Sequence, residues 1–302
     1  MSYFLLMLRF SLACAALTLV ACGERPLEPR DPTPGVPHYV FKSYNVESQK
    51  AGDAPTLKAV GAGDPDVILL QEVSAAWEDL LRDRYMERYP HQLYRAKDIP
   101  NPGAAGLAII SKFPVRDSGW HPGAANEWYP GWHVLIDTPT GTMQVLNVHL
   151  RSAHTGNGNV VNSYLSTDAD HSHQMALFYD QCGDDLPTLV VGDFNEDVDG
   201  GGVEFLEARG FRNALPLFRP GQFTWRHTSV ANQFTQTLDH ILFNSAFAPL
   251  NSWTQNLGNS DHIPVMAHLE AAYPWQPLAS DPLASDPLPD ARANLRPDAR
   301  PR

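Results

Sequence analysis

Thr188-Leu189-Val190-Val191-Gly192-Asp193-Phe194-Asn195 is the stretch that decides the fold. Its aliphatic run is the length of one strand and apolar at every position, as in a strand covered on both faces. Gly192 ends the run and Asp193 and Asn195 follow, so two polar side chains stand at the carboxyl end of a rigid element.

The same arrangement recurs outward from there. Val67-Ile68-Leu69-Leu70 leads into Gln71-Glu72, Val40-Phe41 precedes Asn45, and 142–150 carries His149 near its end. Strands are expected at 39–44, 67–71, 106–111, 134–137, 142–150, 188–192, 237–243 and 262–269, and helices at 75–85, 168–182 and 203–208. Many strands with few, dispersed helices predict a sheet-rich α/β body in which two packed sheets carry outer helices.

The chain has 302 residues, 43% of them hydrophobic, enough for one large domain with a substantial core. Its formal charge is -12, and its 22 basic residues form no run. That weighs against tight, sequence-indifferent binding along a nucleic-acid backbone, which depends on Lys and Arg displacing counterions. A nuclease stays open, because a bound divalent cation supplies local positive charge.

Residues 4–20 are nearly continuous apolar sequence and run into Leu19-Val20-Ala21-Cys22, which resembles a bacterial lipoprotein signal. Cleavage would leave Cys22 to carry the lipid, with 1–21 as signal and the protein anchored in the cell envelope, on the outer membrane facing the periplasm. Of the three cysteines this leaves Cys182 alone, in an apolar stretch that suits a structural thiol better than a nucleophile. Five prolines between 26 and 37 predict an extended tether over 22–37, reaching ~45 Å at about 3.1 Å per residue. The folded domain is expected over 38–272. Beyond it, 273–302 repeats Ala-Ser-Asp-Pro-Leu and balances four Asp with four Arg, the composition of a disordered tail.

Read in order, the chain gives Ser-Tyr-Asn-Val (43–46), Leu-Leu-Gln-Glu-Val (69–73), Gly-Leu-Ala-Ile-Ile-Ser-Lys-Phe-Pro-Val (106–115), Asn-Val-His-Leu (147–150), Gly-Asp-Phe-Asn (192–195), Thr-Leu-Asp-His-Ile-Leu (237–242) and Ser-Asp-His-Ile-Pro-Val (260–265). This ordered set resembles the motifs of the endonuclease/exonuclease/phosphatase superfamily, over about 235 residues. The resemblance implies a four-layer α/β/β/α sandwich and a divalent-metal-dependent phosphoesterase of phosphodiesterase or nuclease type. It also implies site residues. Asp193 would deprotonate the attacking water, Asn195 would hold water or phosphate in line, and His149 and His262 would flank the phosphoryl group, with Asp239 orienting His262. Glu72 and Asn45 would offer oxygen to Mg²⁺ or Mn²⁺, with Asp261 as a further ligand or a group supporting one.

The superfamily's phosphate-contacting Arg is missing from the strand before Asn-Val-His-Leu, where His133 stands. Either His133 substitutes, or Arg151 or Arg226 supplies the substrate contact. His171 and His173 beside Asp168 and Asp170 could hold a second metal, but Thr167 with two following Asp reads better as a helix start. Trp120, Trp128, Tyr129 and Trp132 are expected to pack a loop onto the body. The substrate class stays open between nucleic acid, a phospholipid headgroup or inositol phosphate, and a small phosphodiester. A non-catalytic envelope binding protein on the same fold is the alternative from another class. No protein partner is implied.

Overall fold

The computed structural model describes residues 25–96, 106–122, 129–152, 160–183, 185–228 and 233–272. Cys22, the apolar leader, Trp128, and the tail after 272 lie outside them. Two six-stranded sheets face each other. In the first, β1 (His38–Asn45) lies between β14 (Val265–Ala271) and β2 (Val67–Gln71); β13 (Phe247–Thr254) flanks β14, and β4 (Leu107–Ser111) with β3 (His91–Arg95) completes the other side. The second runs β5 (Val115–His121), β6 (Gly131–Thr138), β7 (Gly141–His149), β8 (Thr188–Asp193), β12 (Asp239–Phe243) and β9 (Arg212–Asn213). A separate hairpin pairs β10 (Trp225–Thr228) with β11 (Gln233–Gln236).

Each sheet has one parallel pair at its centre, β1 with β2 and β7 with β8. Within each pair one strand, β2 or β8, reads as a continuous aliphatic run because both of its faces are covered. Phe41, Leu69, Val145, Val191 and Ile241 fill the space between the sheets. Helices α1 (Ala54–Val60) and α2 (Ala75–Tyr85) cover the outer face of the first sheet with Val60, Trp77 and Leu81. On the second, α3 (Val160–Tyr179) and α4 (Gly201–Glu207) bury Met175, Phe178, Val203 and Leu206. A short helix, α5 (Ala214–Phe218), adds Ala214 and Leu215 to the inter-sheet core. Four layers result, as the motif order implied.

Two expectations are corrected. Helix α3 begins at Val160, so Thr167 and Asp168 lie inside it instead of capping it; a Ser/Thr/Asp start signal is local, and the turns before it continue the helix. The Pro-rich segment is extended but does not stand free. Leu27 N–H donates to Leu217 O at 2.7 Å and Arg30 N–H to Leu250 O at 3.0 Å. Thr33 N–H and the Arg30 guanidinium both meet Glu270, at 2.8 and 2.6 Å. The segment is a strap held by α5, β13 and β14, and its bond to Leu250 O occupies one open backbone group of the edge strand β13.

Candidate active site

Strand register assembles half of the site. His149 pairs with Asp193 across β7 and β8, and Asp193 with Asp239 across β8 and β12, so three side chains stand abreast at one level. In the facing sheet Asn45 pairs with Gln71, one residue before Glu72. All come from carboxyl ends of parallel strands or their neighbours, where such sheets present their sites. The sheets are stitched together beneath the site by buried polar contacts: Asn45 Nδ2 donates to Asp193 Oδ2 at 2.9 Å, Gln71 Nε2 to Asn147 Oδ1 at 2.8 Å, and Asn147 Nδ2 to Leu70 O at 3.2 Å and Ala108 O at 3.3 Å.

The turn at Gly192 needs its glycine: φ is 150°, and an added Cβ would lie 1.9 Å from Val148 O. Glu72 and Asn195 take φ of 57° and 51°, left-handed values that cost non-glycine residues on the order of 1 kcal/mol. Each is held there. Glu72 Oε2 accepts from Ser48 N at 3.1 Å; Asn195 N–H donates to Asp193 Oδ1 at 2.9 Å, and its Nδ2 to Leu150 O at 2.8 Å.

On the second-sheet side, His262 Nδ1 lies 2.8 Å from Asp239 Oδ2 and its Nε2 lies 3.5 Å from Asp193 Oδ2. Burial opposes charge on this ring, but Asp239 and Asp193 outweigh it and raise its pKa to about 10. Burial also pushes Asp239 upward. The proton nevertheless belongs on the imidazole, since the ring faces a carboxylate at each nitrogen and could donate to only one of them if neutral. Thr224 Oγ1, which accepts from the backbone N–H of both Leu238 and Asp239 at 2.9 Å, fixes the strand end. His149 Nε2 stands 3.7 Å from Asp193 Oδ2, too long for a hydrogen bond, with the Tyr129 ring edge-on at 5.0 Å.

The first-sheet side is acidic. Asn45 Nδ2 also donates to Glu72 Oε1 at 3.1 Å, and its Oδ1 accepts from Glu47 N at 3.0 Å. Turning the amide over would set its oxygen against two carboxylates, so Asn45 places Glu72 and Asp193 through nitrogen, which differs from the oxygen-donor role expected for it. Asp261 N–H donates to Glu47 Oε2 at 3.3 Å, and Asp261 Oδ2 accepts from Trp225 Nε1 at 2.9 Å. Burial, then the charge of Asp261, raises the Glu47 pKa, with Glu72 contributing in the same sense. Glu47, Trp225 and Thr224 were not foreseen. Glu47 sits in a polar loop at φ 54°, with no apolar run to flag it.

Among the described residues, Asp193, Asp239 and His262 offer three ligand atoms within 4.8 Å of one another. A protonated imidazole donates no lone pair, so this group fits proton handling better than metal binding. Glu47, Glu72 and Asp261 are carboxylates, the ligand type that suits a hard divalent cation, but among the described residues only the Asp193–Asp239–His262 group brings three ligand atoms within 4.8 Å of one another.

Of the substrate-contact candidates, His133 is excluded. It is buried on β6, bonded to Gln144 Oε1 at 3.1 Å, and points to the face opposite core residues Trp132 and Val134. Arg151 directs Nη1 to Asp170 at 2.9 Å, and Arg226 directs Nη1 to Asn256 at 3.1 Å while its N–H donates to Asp261 O. Both are half-buried. His171 is buried and His173 exposed, so they do not form a shared metal site. Trp120 packs edge-on against buried Trp132, at 5.7 Å.

A model of the Endonuclease/Exonuclease/phosphatase family matches residues 43–262. A search of curated proteins finds no sequence match. Among solved structures, truncated TDP2 of Caenorhabditis elegans has 14% identity and TM-score 0.57, covering 78% of this chain and 98% of its own. Zebrafish (D. rerio) TDP2 complexed with a single-strand DNA product has 16% identity and TM-score 0.57 over 77% and 98%. The human nocturnin catalytic domain with a bound sulfate anion has 17% identity and TM-score 0.55 over 77% and 93%. At these identities the likeness is one of fold.

Proposed function

The chain belongs to the Endonuclease/Exonuclease/phosphatase family of phosphoester hydrolases, and we propose that it is a divalent-metal-dependent phosphodiesterase acting in the cell envelope, anchored through acylated Cys22. The observation that carries the catalytic part is the surroundings of Asp193 Oδ2: the Asn45 amide at 2.9 Å on one side, and the Nε2 atoms of His262 and His149 at 3.5 and 3.7 Å on the other. A carboxylate so oriented accepts a proton from water as the water oxygen bonds to phosphorus. The imidazolium of His262 donates hydrogen bonds to the charge that builds on phosphate, and a proton from His262 or His149 goes to the departing alkoxide. The products are a phosphomonoester and an alcohol, and the balance is one water consumed.

Glu47, Glu72 and Asp261 would hold the cation, Mg²⁺ or Mn²⁺, which supplies Lewis-acid neutralisation of a non-bridging oxygen when bound. Asn195 fixes the carbonyl of Leu150, next to His149, and keeps Asp193 in place through its own N–H. Arg151 and Arg226 supply the positive contact to substrate by leaving Asp170 and Asn256.

Release of p-nitrophenol from bis-p-nitrophenyl phosphate, with Mg²⁺ and with EDTA, tests the reading. Wild-type protein should show EDTA-sensitive turnover that Asp193→Ala lacks; equal rates in the two proteins overturn it. A parallel panel of DNA, RNA, sphingomyelin and inositol phosphates then ranks substrates. Mass spectrometry of the N-terminal peptide tests the anchor, which fails if Cys22 carries no acyl group or Cys22→Ser leaves the protein in the membrane fraction.

A further inference from the structure

Beside the site, His171 on α3 is 1% exposed and bridges two acceptors: Glu196 Oε2, 2.8 Å from Nδ1, and Arg151 O, 2.6 Å from Nε2. The Arg151 carbonyl can only accept, so Nε2 donates to it, and against an ionised Glu196 carboxylate Nδ1 donates as well, which puts two protons on the ring. Glu196, 4% exposed, is its counter-charge, and its second oxygen accepts from Val203 N at 2.8 Å. Room for that carboxylate comes from Gly200 and Gly202, where an added Cβ would fall 2.4 Å from Glu196 Cδ and 2.8 Å from its Oε1.

The pair ties together the two strand ends that carry chemistry. Glu196 directly follows Asn195, and its own carbonyl accepts from His240 Nε2 at 3.0 Å. Arg151 lies two residues after His149 and is gripped at three points by one face of α3: its O by His171, its N–H by Gln174 Oε1 at 3.2 Å, and its guanidinium by Asp170 at 2.9 Å. Between them, Leu150 bonds Asp193 O through its N–H and Asn195 Nδ2 through its carbonyl. A shift of α3 would therefore move His149 and Asn195 together.

We propose that His171 and Glu196 are positioning residues, a buried charged clamp that aims His149 and Asn195 at the reacting phosphorus without touching substrate. This rests on the phosphodiesterase reading. Removing one member should lower kcat about 10–100-fold, the usual effect of groups that orient others, with KM moving far less. His171→Gln, Glu196→Gln and the double variant should be about equally slow, because the two residues act as one unit. Gly202→Ala leaves both residues in place but crowds the carboxylate, and should give the same kcat loss should His171→Gln fail to fold. Independently of turnover, ¹⁵N NMR of the wild-type histidines should show two buried imidazoles with both nitrogens protonated at neutral pH, those of His262 and His171, and only the second signal should vanish in His171→Gln.

An active wild type whose folded His171→Gln or Gly202→Ala variant keeps full kcat overturns the clamp alone. A neutral His171 ring does the same. A wild type that turns over no phosphodiester overturns both the enzyme reading and the clamp.

Discussion

The two central parallel pairs, β1–β2 and β7–β8, have the same geometry and opposite chemistry. Both are largely buried and end in polar side chains. The first gathers oxygen: Glu72 at its end, and Glu47 and Asp261 beside it. The second gathers protons: His149, Asp193 and Asp239, with His262 delivered by the same loop that delivers Asp261. Ser260 Oγ anchors that loop by donating to Asn45 O at 2.8 Å and accepting from His262 N at 3.1 Å. One fold device, used twice, thus brings a cation-seeking set and a proton-handling set face to face, with Asn45 bonded to both.

If the division is real, changes on the two sides must differ in kind. The largest effect is expected from Asp193→Asn, which should lower kcat about 10³-fold or more at saturating Mg²⁺, with circular dichroism unchanged. Glu72→Gln should instead raise the Mg²⁺ concentration for half-maximal rate by about 10–100-fold, with much of the rate recovered at high metal. A Glu72 variant that is equally slow at every metal concentration would erase the comparison.

A smaller effect should appear in thermal unfolding in EDTA as pH changes. The raised pKa of His262, about 10, means that its stabilisation is full below the unfolded value of 6.5 and is lost as pH rises through about 10. Lys42, buried on the outer face of the first sheet, has the opposite sign. Burial lowers its pKa to about 7, so its penalty is full below 7 and is relieved as pH rises toward 10.5. Its Nζ donates to Ala59 O and Ala62 O, both at 2.7 Å. Asp239→Asn should flatten the alkaline loss of Tm, whereas Lys42→Met should steepen it. A Tm profile that neither variant alters would show that these groups titrate alike in folded and unfolded chains.

The smallest expected effect concerns the seam. Asn147→Leu removes the 2.8 Å acceptor of the Gln71 amide and the donor to Leu70 O and Ala108 O, and should cost about 1–3 kcal/mol in urea unfolding while leaving the metal dependence unchanged. A loss confined to activity would place the seam in the site instead.

What was legible in the sequence follows burial. β2 and α2 fall where read, because an unbroken aliphatic run and an amphipathic stretch opened by Ser74 are local signals. β13 was missed, since Pro249 interrupts its pattern at a bulge, and β3 was missed because all five of its residues are only half-buried. In the site, the strand-end residues announce themselves through the aliphatic runs before them. Thr224 and Trp225 do not, because their roles arise from contacts 14 to 36 residues away along the chain. Asn45 was assigned by residue type to metal binding, and only its two carboxylate neighbours reveal that nitrogen does the work.

The strap changes the scale of the anchor. Once Leu27 is bonded to Leu217, only four residues of chain separate it from Cys22, so an acyl group there would moor the body on a line of ~18 Å at full stretch instead of ~45 Å. The line also has a direction: from Thr33 back to Arg30 the strap moves from Glu270, level with His38, to Leu250, nearer the carboxyl end of β1. Under the proposed anchoring, an enzyme moored in this way would sample a thin shell next to the bilayer, and the molecules it met most often would be those that the membrane itself holds or releases.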